Sequence, residues 1–219
     1  MRPQVITTTA PSDDLNGIAE DQTTGAAGDL TLDGALVSGG VATMGMPQIV
    51  SIEGSEDNGS ITFTVTGTDQ DGQTVSEVIT GPDNSTVTST VYFKTVTQIA
   101  ASAAVTGNVE VGPAASDGFS TESVPVNWRQ SPFDGHHFIE LVTSTATFGN
   151  QYTVDDPEGS YTTSFGVDAA WFDGGLDPDS NAATGSAVLD KPVRAVRTKC
   201  TTATSTTVLK STWIQGQNG

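Results

Sequence analysis

Short segments in which apolar residues alternate with polar ones, most of them threonine, constrain the fold of this chain most strongly. The segment Ile61-Thr-Phe63-Thr-Val65 places its three apolar side chains on one face of an extended strand. Threonine and serine make up 54 of the 219 residues, and β-branched threonine suits a pleated, half-buried surface. No segment keeps a helical period beyond one turn, except for one short candidate helix at 168–172. The pattern predicts an all-β protein.

Turn signals separate the predicted strands at short, regular intervals. Asp71-Gly72 follows the alternating segment and predicts a tight hairpin, and Gly81-Pro82-Asp83-Asn84 marks the next turn. Strands that recur about every 10–12 residues are typical of β-sandwiches and β-barrels. In the second half, strands are predicted over 124–128, 138–142 and 146–154, with a closing hairpin from 193–202 and 206–215, whereas the turn-rich 173–190 predicts a surface loop.

Charge divides the chain unevenly. Residues 1–128 hold 16 acidic and 2 basic residues, whereas residues 129–219 hold 10 acidic and 6 basic ones. This change predicts two small β-sandwich or barrel-like domains, at 30–112 and 123–219, joined by a short linker at 113–122 that is rich in turn residues. Residues 1–29 predict an extended N-terminal arm. Val5 and Ile6 in this arm are candidate assembly residues because an extended segment can add a strand to a neighbouring sheet edge.

The acidic composition excludes several classes of partner. The net charge is −18, with 8 Lys and Arg against 26 Asp and Glu, which argues against binding to nucleic-acid phosphates, since that requires an excess of clustered Lys and Arg. No apolar run reaches the roughly 20 residues that span a bilayer as a helix, and no apolar signal core follows the first residues. The single cysteine, Cys200, predicts a buried structural thiol rather than an internal disulfide.

No motif in the sequence predicts catalysis or a bound cofactor. Hydrolase, zinc-protease, P-loop and dinucleotide-binding signatures are absent, and Asp155-Asp156-Pro157-Glu158 is interpreted as a turn. His136 and His137 are adjacent in a strand, so they point to opposite faces and do not share a metal ion. Two fragments resemble calcium loops, but Asp69-Gln-Asp71-Gly72 lacks the third ligand and is explained as a turn. The candidate calcium ligands are therefore Asp177, Asp179 and Asn181, whose spacing matches three ligands of a calcium loop without its glycine or terminal glutamate.

The remaining aromatic and basic residues have structural interpretations. Trp171, Phe172 and Trp213 are predicted to anchor the core of the second domain. Arg194 and Arg197, with Lys191 and Lys199, form the basic cluster of the chain. It is interpreted either as a solvated strand face or as a strip that binds the acidic first domain of a neighbouring copy. Arg194 and Arg197 are therefore the second pair of candidate assembly residues.

A series of short segments follows along nearly the whole chain. They are Ala27-Gly-Asp-Leu-Thr-Leu-Asp-Gly-Ala-Leu-Val-Ser-Gly-Gly-Val-Ala42, Ile61-Thr-Phe-Thr-Val-Thr-Gly-Thr-Asp-Gln-Asp-Gly72, Glu77-Val-Ile-Thr-Gly-Pro82, Thr90-Val-Tyr-Phe-Lys-Thr-Val-Thr97, Thr106-Gly-Asn-Val-Glu-Val-Gly112, Val154-Asp-Asp-Pro157, Ala170-Trp-Phe-Asp173, Pro192-Val-Arg-Ala-Val-Arg197 and Ile214-Gln215-Gly216. In this order the segments resemble a family of virion structural proteins from tailed bacteriophages. The resemblance implies a particle component that assembles in the bacterial cytoplasm and is not an enzyme.

Three functions are compatible with these observations. The first is a short tail fibre or tail-accessory protein that docks to the tail or head–tail connector through its N-terminal part. The second is a capsid decoration (cement) protein. The third, of another class, is a carbohydrate-binding or depolymerase module, which requires exposed aromatic side chains and a carboxylate cleft. The expected partners are other copies of the chain, as a homotrimer, and other virion proteins, with no nucleic acid, no membrane insertion and no cofactor.

Overall fold

The computed structural model describes residues 3–114, 116–127, 129, 134–154, 171–177 and 181–216. These residues form antiparallel strands and no helix, which confirms the predicted all-β class. They group into two compact units. One unit is Ser12–Ala114, and the other combines Met1–Pro11 with Ala115–Gly219. The strands are numbered β1 to β19 along the chain.

The Ser12–Ala114 unit contains two antiparallel sheets. One sheet has the order β5-β10-β7-β8, with β3 on β10 and β4 on β5, and the other has the order β2-β11-β6-β9. The strands are β2 Ala19–Gln22, β3 Gly28–Asp29, β4 Val37–Ser38, β5 Val41–Gln48, β6 Val50–Gly54, β7 Thr62–Thr68, β8 Thr74–Thr80, β9 Thr86–Thr88, β10 Phe93–Ala101 and β11 Val109–Pro113.

The alternating segment behaves as predicted. Phe63 and Val65 are fully buried and Ile61 nearly so, while the threonines between them are only partly covered. The predicted hairpin joins β7 to β8, where Gly72 adopts a φ of 78° and the Asp69 carboxylate accepts hydrogen bonds from the backbone N–H groups of residues 71 and 73. Buried residues from both sheets form one core, since β6 and β11 contribute to the same cluster as β7 and β10.

A buried asparagine ties two loops of this unit together. Asn58 is 1% exposed, and its Nδ2 donates to the carbonyl oxygens of Thr106 at 3.0 Å and Glu56 at 3.3 Å. Its Oδ1 accepts a hydrogen bond from the backbone N–H of Thr106 at 2.8 Å. The buried amide therefore makes three hydrogen bonds that link the loop at Glu56 to the loop at Thr106.

Replacing Asn58 with alanine is expected to lower the free energy of unfolding of this unit by about 1–3 kcal/mol, because it removes the three hydrogen bonds of a buried amide. Chemical denaturation followed by circular dichroism measures the loss. Asn16→Ala, at an exposed position, is the matched control and should change stability by less than about 0.5 kcal/mol. Equal losses in the two variants would contradict the role of the Asn58 amide.

The second unit also contains two antiparallel sheets. One has the order β1-β19-β14-β17, and in the other β18 pairs with β12, β13 and β15, while β15 also pairs with β16. The strands are β1 Gln4–Thr9, β12 Phe119–Ser120, β13 Val124–Pro125, β14 Gly135–Thr143, β15 Ala146–Thr153, β16 Phe172–Asp173, β17 Gly185–Leu189, β18 Ala195–Ala203 and β19 Val208–Gln215. Its core includes Trp213, Val196, Val193, Leu189, Val124 and Val126.

The N-terminal residues differ from the predicted arm at 1–29. Residues 4–9 form β1, which pairs with β19 of the same chain from Gln4 opposite Trp213 to Thr9 opposite Val208. Further along, Ile18 and Ala19 are fully buried in the core of the Ser12–Ala114 unit, where β2 pairs with β11. Of the two apolar residues predicted for assembly, Ile6 thus packs within its own chain, whereas Val5 stays 50% exposed.

Two other predicted connections contain strands. The predicted linker at 113–122 includes Phe119, which is fully buried where β12 pairs with β18. The predicted surface loop at 173–190 includes β17, which pairs with β14 along five residues. In both cases turn residues flank a short segment that contains apolar side chains. Pairing with an existing strand buries those side chains, and this burial stabilises the segment as a strand.

The predicted aromatic anchors separate into two groups. Trp213 is 3% exposed and lies in the core as predicted. Phe172 is exposed in β16 and Trp171 is only partly covered, so these two are not core residues. Most of the candidate helix at 168–172 and all of Asp155-Asp156-Pro157-Glu158 lie outside the described residues, as does Trp128.

Candidate assembly surface

One face of the β1-β19-β14-β17 sheet covers the core and the other is open to solvent. On β14, His137 and Ile139 are buried, whereas His136 and Phe138 are exposed, so the prediction that the two histidines point to opposite faces is confirmed. The strand register extends this alternation across the sheet. His136 is opposite Ile214 on β19 and Val188 on β17, and Phe138 is opposite Thr212 and Ser186.

The open face is defined here by four exposed apolar side chains in two adjacent register rows. Val188 is 58% exposed, Val5 50%, Ile214 43% and Phe138 40%. Val5 joins the row of Phe138, because β1 pairs Val5 with Thr212. Of the nine exposed large apolar side chains among the described residues, four lie on this one face. Thr212 separates Val5 from Phe138, and His136 separates Ile214 from Val188, so the four apolar side chains are diagonal neighbours in the register. Single exposed apolar residues are ordinary, whereas several on one sheet face indicate an interaction surface.

Each acidic side chain named on the open face has a close partner. Lys210 Nζ lies 3.5 Å from Glu140 Oε2 in the row next to Phe138. At the other end of the face, His136 Nε2 lies 3.3 Å from Asp134 Oδ1. Both pairs are exposed, so each contributes little to stability. The open face thus carries one ion pair, Lys210–Glu140, and one carboxylate beside an imidazole, in a chain whose net charge is −18.

A contrasting surface lies on the β2-β11-β6-β9 sheet of the other unit. Glu110 and Glu53 are directly opposite each other in the register of β11 and β6. Burial, followed by the charges of Asp21, Glu53 and Asp14, raises the pKa of Glu110. Like charges in opposite positions of a sheet repel each other. This surface therefore disfavours contact with another acidic surface.

The covered face of the β1-β19-β14-β17 sheet contains a buried histidine. His137 Nε2 lies 2.6 Å from Ser211 Oγ, and its ring meets Trp213 edge-on at a centroid separation of 6.2 Å. Within the described residues, His137 Nδ1 has no hydrogen-bond partner. Burial lowers the pKa of His137 to about 4. A Ser–His pair can act in nucleophilic catalysis, but Ser211 and His137 are both buried, and their contact packs the core.

The four residues predicted for assembly fall into two sheets. Val5 points to the open face, while Ile6, its neighbour, packs against the core. Arg197 is in β18 of the other sheet, where Nε donates to Gln151 Oε1 at 3.0 Å and the guanidinium carbon lies 4.2 Å from the centroid of the Trp171 ring. Arg194 precedes β18, and its backbone N–H and carbonyl bind Thr153 and Val126. The structure does not bring the two pairs together.

The calcium candidates are only partly described. Asp179 lies outside the described residues. The backbone N–H of Asn181 donates to the Asp177 carbonyl at 3.0 Å, and Asn181 Nδ2 donates to the carbonyl oxygens of Phe148 and Ala183. The Asn181 amide thus joins this loop to β15. Within the described ranges, no group of three or more His, Cys, Asp or Glu side chains is placed to hold a metal ion.

Cys200 has the structural environment that the sequence predicts. It is fully buried on β18, between Phe119 of β12 and Phe148 of β15 in the strand register. Its Sγ lies 3.1 Å from the carbonyl oxygen of Thr202. Burial raises the pKa of the thiol to about 12, so the reactive thiolate is scarce at neutral pH.

Comparisons with protein-family models, with curated proteins and with solved structures give no match to this chain. Among the described residues, no helix has the length and apolar character needed to cross a membrane. Among the described residues, the open face is the feature that most directly indicates a function.

Proposed function

We propose that this chain is a structural protein of a tailed-bacteriophage virion, most specifically a short tail fibre or tail-accessory protein, and that it acts by binding and assembly. The open face is the observation that carries the proposal. Four apolar side chains, Val5, Phe138, Val188 and Ile214, are held in register on a rigid sheet and left uncovered by the described residues. A rigid apolar surface of this kind suits association rather than catalysis.

The ordered resemblance to virion structural proteins supports the same function. The resembling segments include Thr90-Val-Tyr-Phe-Lys-Thr-Val-Thr97, which contributes to β10, and Pro192-Val-Arg-Ala-Val-Arg197, which leads into β18. Because β1 is paired with β19, it is not free to add a strand to a neighbouring sheet. The N-terminal residues therefore contribute to assembly through the exposed side chain of Val5 on the open face.

Mass spectrometry of purified particles tests this function. The chain is expected in virions from cells infected with the phage that encodes it, with a copy number per particle that locates it. Tens of copies favour a tail component, whereas hundreds favour the alternative of a capsid decoration protein. Purification through a density gradient, with the host's soluble proteins as the control, separates incorporation from carry-over. Absence of the chain from infectious particles would overturn the proposal.

One observation favours the alternative of a carbohydrate-binding module. Tyr152 and Phe172 lie with ring centroids 5.8 Å apart, and Phe172 is exposed beside Asp173. Exposed aromatic rings near a carboxylate are suited to stacking on sugars and binding their hydroxyls. Binding of host polysaccharide by the purified protein, with loss of binding in Phe172→Ala, would favour this function over the first one.

A further inference from the structure

We infer that the open face is a contact surface between two copies of this chain, which pair sheet against sheet. This inference rests on the proposed assembly function and names the surface and the partner that it uses. The open face is formed by the outward side chains of β1, β19, β14 and β17, with Val5, Phe138, Val188 and Ile214 as its apolar part.

The area of the open face is large enough for a contact between two copies. Four strands spaced about 4.8 Å apart and averaging about seven residues at 3.4 Å give a footprint of roughly 450 Å² per copy. Two copies that cover each other's footprint bury about 1,000 Å² of accessible surface, because a corrugated face exposes more area than its outline. This is the lower limit of specific protein interfaces, where weak and transient contacts are found, so we expect a dissociation constant in the micromolar range.

The charged side chains of the open face also favour a second copy as the partner. Copies of a chain with a net charge of −18 repel each other. On the open face this repulsion is reduced, because the charge of Glu140 is paired with that of Lys210. When two identical faces meet about a twofold axis, Lys210 of each copy can also approach Glu140 of the other, since an isologous contact is reciprocal.

The geometry of the sheet also suits packing against an identical sheet. The open face shows regular alternation, with Phe138, Thr212 and Ser186 in one register row and His136, Ile214 and Val188 in the next. Such a face can pack on another sheet about 10 Å away, with its side chains interdigitating as they do inside a β-sandwich. Face-to-face pairing gives a dimer, which differs from the homotrimer expected from the resemblance.

Sedimentation velocity of the full-length chain from about 1 to 500 µM tests the inference, a range that brackets a micromolar dissociation constant. We expect the wild-type protein to shift from monomer to dimer. Phe138→Glu and Val188→Glu should each weaken the dimer at least tenfold. Val78→Glu is the matched control, since Val78 is 64% exposed on β8 of the other unit, and it should leave the dimer unchanged. Circular dichroism verifies that each variant is folded.

A chemical-protection measurement keeps the test independent of the charge substitutions. Cys200 is fully buried, so a cysteine introduced by Val188→Cys is the main site that maleimide modifies in the folded protein. Its modification should slow as the protein concentration rises, while that in Val78→Cys should not. A wild-type protein that stays monomeric throughout the range, or a dimer unaffected by Phe138→Glu and Val188→Glu, would overturn the inference.

The two proposals fail in distinguishable ways. Detection of the chain in purified virions, together with a monomer at every concentration in solution, would remove the paired face but leave the virion function in place. A dimer through the open face, together with absence from virions, would remove the virion function and leave the paired face.

Discussion

Removing residues 1–11 is expected to destabilise the unit that contains β19 by about 3–5 kcal/mol, because the deletion uncovers its apolar core and leaves the backbone of β19 without its partner strand. Ile6 packs against the cluster that contains Trp213, and Thr8 is buried beside it. Chemical denaturation monitored by tryptophan fluorescence measures the loss, since Trp213 lies in the affected core.

A synthetic peptide of residues 3–11 should restore the stability of the truncated protein by pairing with the exposed β19. The matched controls are two peptides that differ in one adjacent position. Val5→Asp changes a side chain on the open face and should still restore stability, whereas Ile6→Asp places a charge toward the core and should not. An unfolding curve for the truncated protein identical to that of the wild type would show that β1 does not support this unit.

The strand and the hairpin of the alternating segment could be predicted from the sequence, unlike the position of β1. Alternation in the Ile61–Val65 segment predicts both the strand and its buried face, because a period of two follows directly from strand geometry. The Asp71-Gly72 turn predicts the hairpin for an equally local reason. Both features depend on neighbours in sequence, and both are found in the structure.

The position of β1 depends on residues that are distant in sequence. Val5 and Ile6 pair with Thr212 and Ser211, about two hundred residues further along the chain. An extended apolar segment can complete any sheet edge, so local pattern does not distinguish an edge of its own chain from an edge of a neighbour. The sequence therefore predicts that the segment is extended, but not which strand it joins.

The open face also depends on pairing between strands that are distant in sequence, which local pattern does not predict. Alternation in β14 identifies two faces, but the assignment of Phe138 to the open one depends on which face the core covers. Val188 lies in a segment that turn residues predict as a loop, and Ile214 belongs to a strand near the end of the chain. Only the register between β14, β17 and β19 brings these three side chains together.

Lowering the pH from 6.5 to 4 is expected to remove about 3 kcal/mol of stability through His137 alone. Burial lowers the pKa of His137 to about 4, below its ordinary value of 6.5. Between these two values the unfolded chain binds a proton that the folded protein excludes, so unfolding becomes easier as the pH falls. The contribution is fully present above about pH 6.5, decreases through the interval, and changes no further below about pH 4.

The residues around His137 explain why its protonation is unfavourable. Its neighbours in the register are Trp213 and Ala187, which carry no charge, and Ser211 contacts Nε2. A protonated imidazole would need an acceptor at each nitrogen, and within the described residues Nδ1 has none. Protonation would therefore place a poorly compensated charge in the core, where the absence of water makes it costly.

A double variant isolates this effect from the many carboxylates that titrate in the same range. His137→Phe removes the titrating group, and Ser211→Ala removes the hydroxyl that would lose its partner. We expect the free energy of unfolding of the double variant to vary less with pH than that of the wild type, by up to about 1.4 kcal/mol per pH unit between pH 4 and 6.5. His136→Asn, which removes the exposed neighbouring histidine, is the matched control and should follow the wild-type curve more closely. Parallel curves for the wild type and the double variant would contradict the prediction, because they would mean that His137 takes up its proton equally in the folded and unfolded states.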